Sequence, residues 1–284
     1  MVKIGNVTNI FIVFALSFFI AIVYPRHTYA AEISTKDSDY LNKVWTQQIE
    51  ELSEIGFSFD LFDQSTNIAT STVPDERNHF KYVAIGNSVT IHEIGDLWHG
   101  DWGMAATSKQ NDYVHVLAKM IEQSKEQPVD ITVISCKDWE LNAERNNFID
   151  VALKDVPSDA DLVTVQTGEN ITTYLERLNN DYDAFFGYLR QKAPNAQILV
   201  TGKLLWMTDE ADSAKRTACE KYGIQFIDMN EFADNYENIY RSRIGELIVG
   251  ADGNNYAIDN ECVAAHPNDD GMAKIAEILF RNVN

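Results

Sequence analysis

The stretch Lys81-Tyr82-Val83-Ala84-Ile85-Gly86-Asn87-Ser88-Val89-Thr90 decides the fold. Tyr82 to Ile85 is a short apolar run of the kind that forms a strand buried on both faces. Gly86-Asn87-Ser88 stops it with turn-forming residues. A serine at such a turn is presented at the carboxyl edge of a sheet, where open α/β sheets bind ligands. Its hydroxyl is a weak nucleophile alone and needs a base within hydrogen-bond reach. On its own, Gly-Asn-Ser is far more often a turn whose side chains bond local backbone, and the rest of the chain decides.

Downstream, strand-like and helix-like segments alternate. Residues 112–123 have helical spacing, with Val114, Leu117, Ala118 and Ile121 on one face and Asp112 placed to cap. Val129 to Ser135 alternates as a strand. Leu162 to Gln166 is a second strand, running into Thr167-Gly168-Glu169-Asn170. Helical spacing returns at 181–192 and 209–222, and strands at 198–201 and 224–227, the last expected strand. Residues 268–280 form a closing helix with Met272, Ile275, Ala276 and Leu279 inward. This order implies a parallel sheet covered by helices on both faces.

Upstream the text is different. Lys3 precedes an apolar run from Ile10 to Tyr24, and Thr28-Tyr29-Ala30-Ala31 offers small residues for a signal peptidase. The run is short against the roughly 20 residues of a membrane span, so a cleaved secretory signal over 1–30 is preferred to an N-terminal anchor. Residues 31–79 read as an N-terminal extension. Tyr40 to Ile55 has helical spacing, Phe57 to Phe62 alternates like a strand, and Ser65 to Glu76 is a polar loop. The main domain is expected over 80–284.

The chain has 284 residues and a formal charge of −20, from 43 acidic and 23 basic residues. Removing residues 1–30 takes away Lys3 and Arg26 and no acidic residue, leaving −22. Such a surface repels nucleic acid and anionic lipid, so neither is expected as a partner. Three scattered cysteines, Cys136, Cys219 and Cys262, are too few for a disulfide framework. One pair can form in an exported protein, and Cys136, ending a strand, reads as core. No metal-ligand spacing and no phosphate-binding loop are present, so no cofactor is expected.

Three further features lie where they can meet Ser88. His266-Pro267-Asn268-Asp269 places a histidine on a restrained loop before the last helix, as a general base requires. Gly103, in Trp102-Gly103-Met104, lets a backbone N–H approach a reacting group. Asn170 carries an amide able to donate to a developing oxyanion. His92 can face the same place, while His99 and His115 lack ligand-like spacing.

In this order the four residues resemble the SGNH/GDSL hydrolase family. Ser88 matches its first block, with Gly-Asn-Ser for the commoner Gly-Asp-Ser. Gly103 looks like the second block, Asn170 the third in a Gly-Glu-Asn context, and His266 the last. The resemblance spans roughly Lys81 to Phe280. It implies a flavodoxin-like three-layer α/β/α sandwich with a parallel sheet and ester hydrolysis. Ser88 would be the nucleophile, and the Ser88 N–H, the Gly103 N–H and the Asn170 side chain the oxyanion hole. The family's last block usually reads Asp-x-x-His, but here the position three before His266 is Val263. A backbone carbonyl or another carboxylate, with Asp259, Glu261 and Glu169 the nearby ones, must orient the imidazole.

Trp98, Trp102 and Trp206 are expected at the carboxyl edge, where flat aromatic faces suit sugar rings. Together these features describe a secreted esterase removing acyl groups, O-acetyl first, from carbohydrate or another small ester. Two alternatives remain: an O-acetyltransferase using the same residues, and a non-catalytic carbohydrate-binding protein on the same fold.

Overall fold

The computed structural model describes residues 79–284. The signal segment and, apart from His79, the N-terminal extension expected from the sequence lie outside the described residues. Within them a five-stranded parallel sheet has the order β2-β1-β3-β4-β5. Its strands are β1 (Phe80–Gly86), β2 (Val129–Ser135), β3 (Leu162–Gln166), β4 (Gln197–Thr201) and β5 (Gln225–Ile227). This is the flavodoxin-like strand order, wound outward in both directions from β1.

Helices cover both faces. They are α1 (Tyr113–Lys125), α2 (Lys137–Leu141), α3 (Ile149–Ala152), α4 (Leu178–Lys192), α5 (Asp209–Lys221), α6 (Asn230–Ala233), α7 (Glu261–Ala264) and α8 (Asp269–Phe280). Side chains alternate across a strand, and β1 divides accordingly. Tyr82 and Ala84 join the core under α1 and α8, with Leu117, Ile121, Met272, Ile275 and Leu279. Val83 and Ile85 join the opposite core under α4 and α5, with Phe185, Phe186, Leu189, Ala211 and Ala218. Strand β2 lies at the sheet edge and is the least buried of the longer strands. That is why its sequence alternates while β1 and β3 are nearly continuous in apolar residues.

The four long helices that the sequence predicts within the described residues, α1, α4, α5 and α8, begin and end within three residues of their expected bounds. Asp112 accepts from the His115 N–H, Thr208 from Ala211 and Asn268 from Gly271, so α1, α5 and α8 are capped by side chains. The short elements carry no strong pattern, and two of them matter here. One is the short helix α2 directly after β2. The other is an antiparallel hairpin of β6 (Leu247–Val249) and β7 (Asn255–Ala257). Strand β5 is therefore not the last strand.

Register sets the site. Gly86 pairs level with Ser135 of β2 and Gln166 of β3, and Val165 pairs with Val200. The connections after β1, β2, β3 and β4 therefore all leave one edge of the sheet together. All three cysteines are free, Cys136 and Cys219 buried and Cys262 exposed, so the one pair the sequence left open is not formed.

Candidate active site

Strand β1 ends at Gly86, and the chain turns at once. The Asn87 carbonyl accepts from the N–H groups of Thr90 (2.8 Å) and Ile91 (2.9 Å). Asn87 is fully buried, and its Oδ1 accepts from the Val89 N–H at 3.2 Å. Ser88 between them is half-buried, with its hydroxyl turned to the edge of the sheet.

The base comes from the other end of the chain. The Ser88 hydroxyl lies 2.8 Å from Nε2 of His266, 178 residues away in sequence. Nδ1 of His266 lies 2.8 Å from the carbonyl oxygen of Cys262. A carbonyl only accepts, so Nδ1 carries the ring hydrogen and Nε2 is left to accept from the Ser88 O–H. This is the tautomer a general base needs. Cys262 lies in the single turn of α7, where the last carbonyls lack helical partners. The His266 side chain takes one of them, while its own N–H donates to Val263 at 2.9 Å.

Val263 is 3% exposed and packs in the core under α1 and α8. Asp259 and Glu261 are exposed, and neither bonds His266 among the described residues. Of the two acceptors that the sequence leaves open, a backbone carbonyl and a carboxylate, it is the carbonyl that bonds His266. His266 is 2% exposed. Burial pushes its pKa down to about 4, the Cys262 carbonyl bond opposes this, and nearby His92 adds to it. The imidazole is neutral at pH 7.

Asn170 follows β3 through Gly168, whose φ of +120° is open to glycine and strained for other residues. The Asn170 amide donates to Oε2 of Glu140 at 2.6 Å, and the Gly168 N–H donates to Oε1 of the same carboxylate at 2.5 Å. Glu140, on α2, was not singled out from the sequence. A lone glutamate in Lys-Asp-Trp-Glu-Leu reads as a surface residue, yet it is 1% exposed. Glu169 is buried too. Its Oε2 accepts from Gln166 Nε2 at 2.6 Å and Asn87 Nδ2 at 3.0 Å, so it is tied behind the edge and does not reach His266.

Gly103 sits beside Ser88. A Cβ there would lie 2.4 Å from the Val89 carbonyl oxygen, so only glycine fits. Its N–H makes a long 3.4 Å contact to Asp112 Oδ2, while the next N–H, of Met104, donates to the Ser88 carbonyl at 2.8 Å. The glycine loop is therefore bonded to the serine loop directly.

The tryptophans separate. Trp206 is 44% exposed, and its ring meets that of His266 edge to face with centroids 5.4 Å apart. Trp98 and Trp102 are 1% and 3% exposed and pack on each other at 5.9 Å. The expectation that these two offer a face to sugar is corrected: their large apolar surfaces fill the core beneath the Gly103 loop. His92 bonds the Glu93 carbonyl through Nδ1 at 2.8 Å. His99 stacks on Tyr256 at 3.7 Å, and His115 pairs with Asp112 at 2.7 Å.

The sequence matches no protein-family model and no curated protein. Among solved structures it is similar to an extracellular lipase from Streptomyces rimosus, at 15% identity and a TM-score of 0.43 over 72% of this chain and 100% of the lipase. It is also similar to the salicylyl-acyltransferase SsfX3 of a tetracycline biosynthetic pathway, at 15% identity and a TM-score of 0.46 over 73% of this chain and 55% of that one. A third is a two-domain esterase active on acetylated mannans, at 14% identity and a TM-score of 0.44 over 72% of this chain and 48% of that one. The chain spans about half the length of the last two. Likenesses this distant are of chain arrangement, and the chemistry rests on the residues described above.

Proposed function

We propose that this protein is an exported serine esterase that removes acyl groups, O-acetyl first, from carbohydrate. The single observation that carries the reading is the linked pair Ser88 Oγ to His266 Nε2 and His266 Nδ1 to Cys262 O, each 2.8 Å, at the carboxyl edge of a parallel sheet. In this reading Ser88 Oγ attacks the ester carbonyl carbon as Nε2 takes its proton. The oxyanion is held by the Ser88 N–H, by the second hydrogen of Asn170 Nδ2, and by the Gly103 N–H in exchange for its long contact to Asp112. The tetrahedral intermediate collapses as its bond to the sugar oxygen breaks, and the imidazolium gives its proton to that oxygen, which departs as the sugar hydroxyl. Water then attacks the acyl-enzyme with Nε2 again as base, releasing the acid and restoring Ser88.

A carbonyl stabilises the transient imidazolium less than a carboxylate does. Slow turnover is therefore expected beside enzymes with a full triad. Carbohydrate is favoured by the exposed face of Trp206 beside His266, because a flat aromatic surface suits a sugar ring. Export is the reading of residues 1–30. Transfer of the acyl group to a sugar hydroxyl instead of water uses the same residues, and the acceptor supplied decides between them.

The test is labelling with a serine-directed fluorophosphonate. Wild type should be modified at Ser88 and lose activity on a short acetyl ester, while Ser88→Ala should not be labelled and should be inactive. A purified, folded Ser88→Ala protein within tenfold of wild-type activity overturns the proposal.

A further inference from the structure

We infer that Glu140 is a positioning residue for this reaction: its carboxylate holds the Asn170 amide in the donating orientation and ties the oxyanion loop to the nucleophile loop. The inference rests on the reading of Ser88 as nucleophile and Asn170 as oxyanion donor.

The geometry is unusual for a buried carboxylate. Its acidic oxygens contact amide N–H groups and no cation among the described residues. Oε1 accepts from the Gly168 N–H (2.5 Å) and Asn87 Nδ2 (3.2 Å); Oε2 accepts from Asn170 Nδ2 (2.6 Å) and Asn87 Nδ2 (3.3 Å). Two of these donors belong to the loop after β3. The third belongs to Asn87, the neighbour of the nucleophile. Helix α2 is itself anchored: Arg145 Nε donates to the Glu140 carbonyl at 3.2 Å, and Arg145 is held by buried Asp181 at 3.0 Å.

An asparagine amide has two nearly equivalent orientations, and only one presents N–H groups to a given place. An ionised Glu140 decides between them. With Nδ2 toward Oε2 the contact is a charge-assisted hydrogen bond; flipped, the Asn170 carbonyl oxygen would face a carboxylate. The second Nδ2 hydrogen is then fixed in direction and free for an oxyanion. A protonated Glu140 can donate its O–H to the flipped amide, so the preference is lost.

Protonation lies within reach. Burial first, and the charge of Glu169 second, push Glu140 up to about 7, against the bonds from Gly168, Asn170 and Asn87. The other titratable groups around it are Lys215, whose ammonium donates to the Thr167 carbonyl at 2.6 Å, and the buried Cys136 and Tyr182. Turnover should therefore fall as pH drops through about 7, separately from the loss near 4 expected when His266 takes a proton.

The experiment is kcat against pH, from 4 to 9, on a short acetyl ester for wild type, Glu140→Gln, Asn170→Ala and the double variant. Wild type should show an acid limb near 7. Glu140→Gln should lack it, with kcat about tenfold below wild type at pH 8.5, a fraction of the 10² to 10³ lost with the donor itself. It should converge with wild type at pH 5, with KM unchanged within about twofold. In the Asn170→Ala background the limb should also be absent and Glu140→Gln should change kcat less than about twofold. Should Glu140→Gln fail to fold, the loss of the limb in Asn170→Ala alone decides. Full kcat at pH 8.5 in Glu140→Gln, a limb near 7 that survives in either single variant, or an undiminished effect in the Asn170→Ala background overturns the inference. If Asn170→Ala leaves kcat intact, it is the oxyanion assignment that fails instead.

Discussion

Nδ1 of His266 donates to the backbone carbonyl of Cys262, four residues earlier, at 2.8 Å. A side-chain acceptor can be removed by mutation, and this one cannot. His266→Ala should therefore be nearly as damaging as Ser88→Ala. Asp259→Asn and Glu261→Gln, both on exposed residues, should each cost less than about tenfold in kcat. A carboxylate that fixed the tautomer would cost up to ~10⁴-fold on neutralisation. Those outcomes differ by about 4 kcal/mol in the barrier, so rates on one acetyl ester separate them. Glu169→Gln belongs in the series, and a ~10⁴-fold loss in any of the three names a third member.

Asn170→Ala should lower kcat by ~10² to 10³ with little change in KM, because an oxyanion donor is used mainly in the transition state. Steady-state kinetics on the same ester checks this. A change confined to KM would mean that Asn170 binds substrate in the ground state.

The tryptophans should divide by readout. Trp206→Ala should raise KM for an acetylated polysaccharide several-fold while kcat for a small ester stays within about threefold, since only the exposed ring can stack on a sugar. Trp98→Ala should act on stability, by about 3–5 kcal/mol, because it empties a buried site. Kinetics on the two substrates and urea unfolding make the comparison. Equal loss on both substrates in Trp206→Ala would place that ring in support of His266 instead.

Two buried groups should set the pH dependence of stability with opposite signs. The folded-state pKa of Glu140, about 7, lies above its ordinary 4.5, so the fold prefers the neutral form. Between those values, rising pH ionises the unfolded chain first and weakens the fold. His266, lowered from 6.5 to about 4, also prefers to be neutral, so falling pH across that window weakens the fold. Glu140→Gln should consequently melt no lower than wild type at pH 8, even as its turnover falls. Thermal melts from pH 4 to 9 check this. A variant that loses both stability and turnover at pH 8 would mark Glu140 as a structural residue.

The order of strands and helices was legible because the features that build it are local. β1 and β3 are short apolar runs, since both their faces are covered. α1 and α8 show apolar residues at helical spacing behind Asp112 and Asn268, which cap them. The hairpin β6–β7 was not legible, because its six residues are mostly exposed and carry no periodic pattern.

In the site, the residue types and their order along the chain mark which side chains can do chemistry. A serine follows the first strand, a histidine precedes the last helix, and valine stands where a carboxylate is usual. Tertiary structure decided who meets whom. Ser88 and His266 become partners only when the sheet brings loops 178 residues apart to one edge. The acceptor for His266 is a carbonyl, a group every residue carries, so no letter in the sequence marks it. Trp98, Trp102 and Trp206 are the same letter, yet packing buries two and exposes one. Glu140 reads as an ordinary surface glutamate, and only the fold takes it out of water and sets three amides around it. Burial and amide orientation belong to the assembled protein, because both depend on neighbours that arrive from distant parts of the chain.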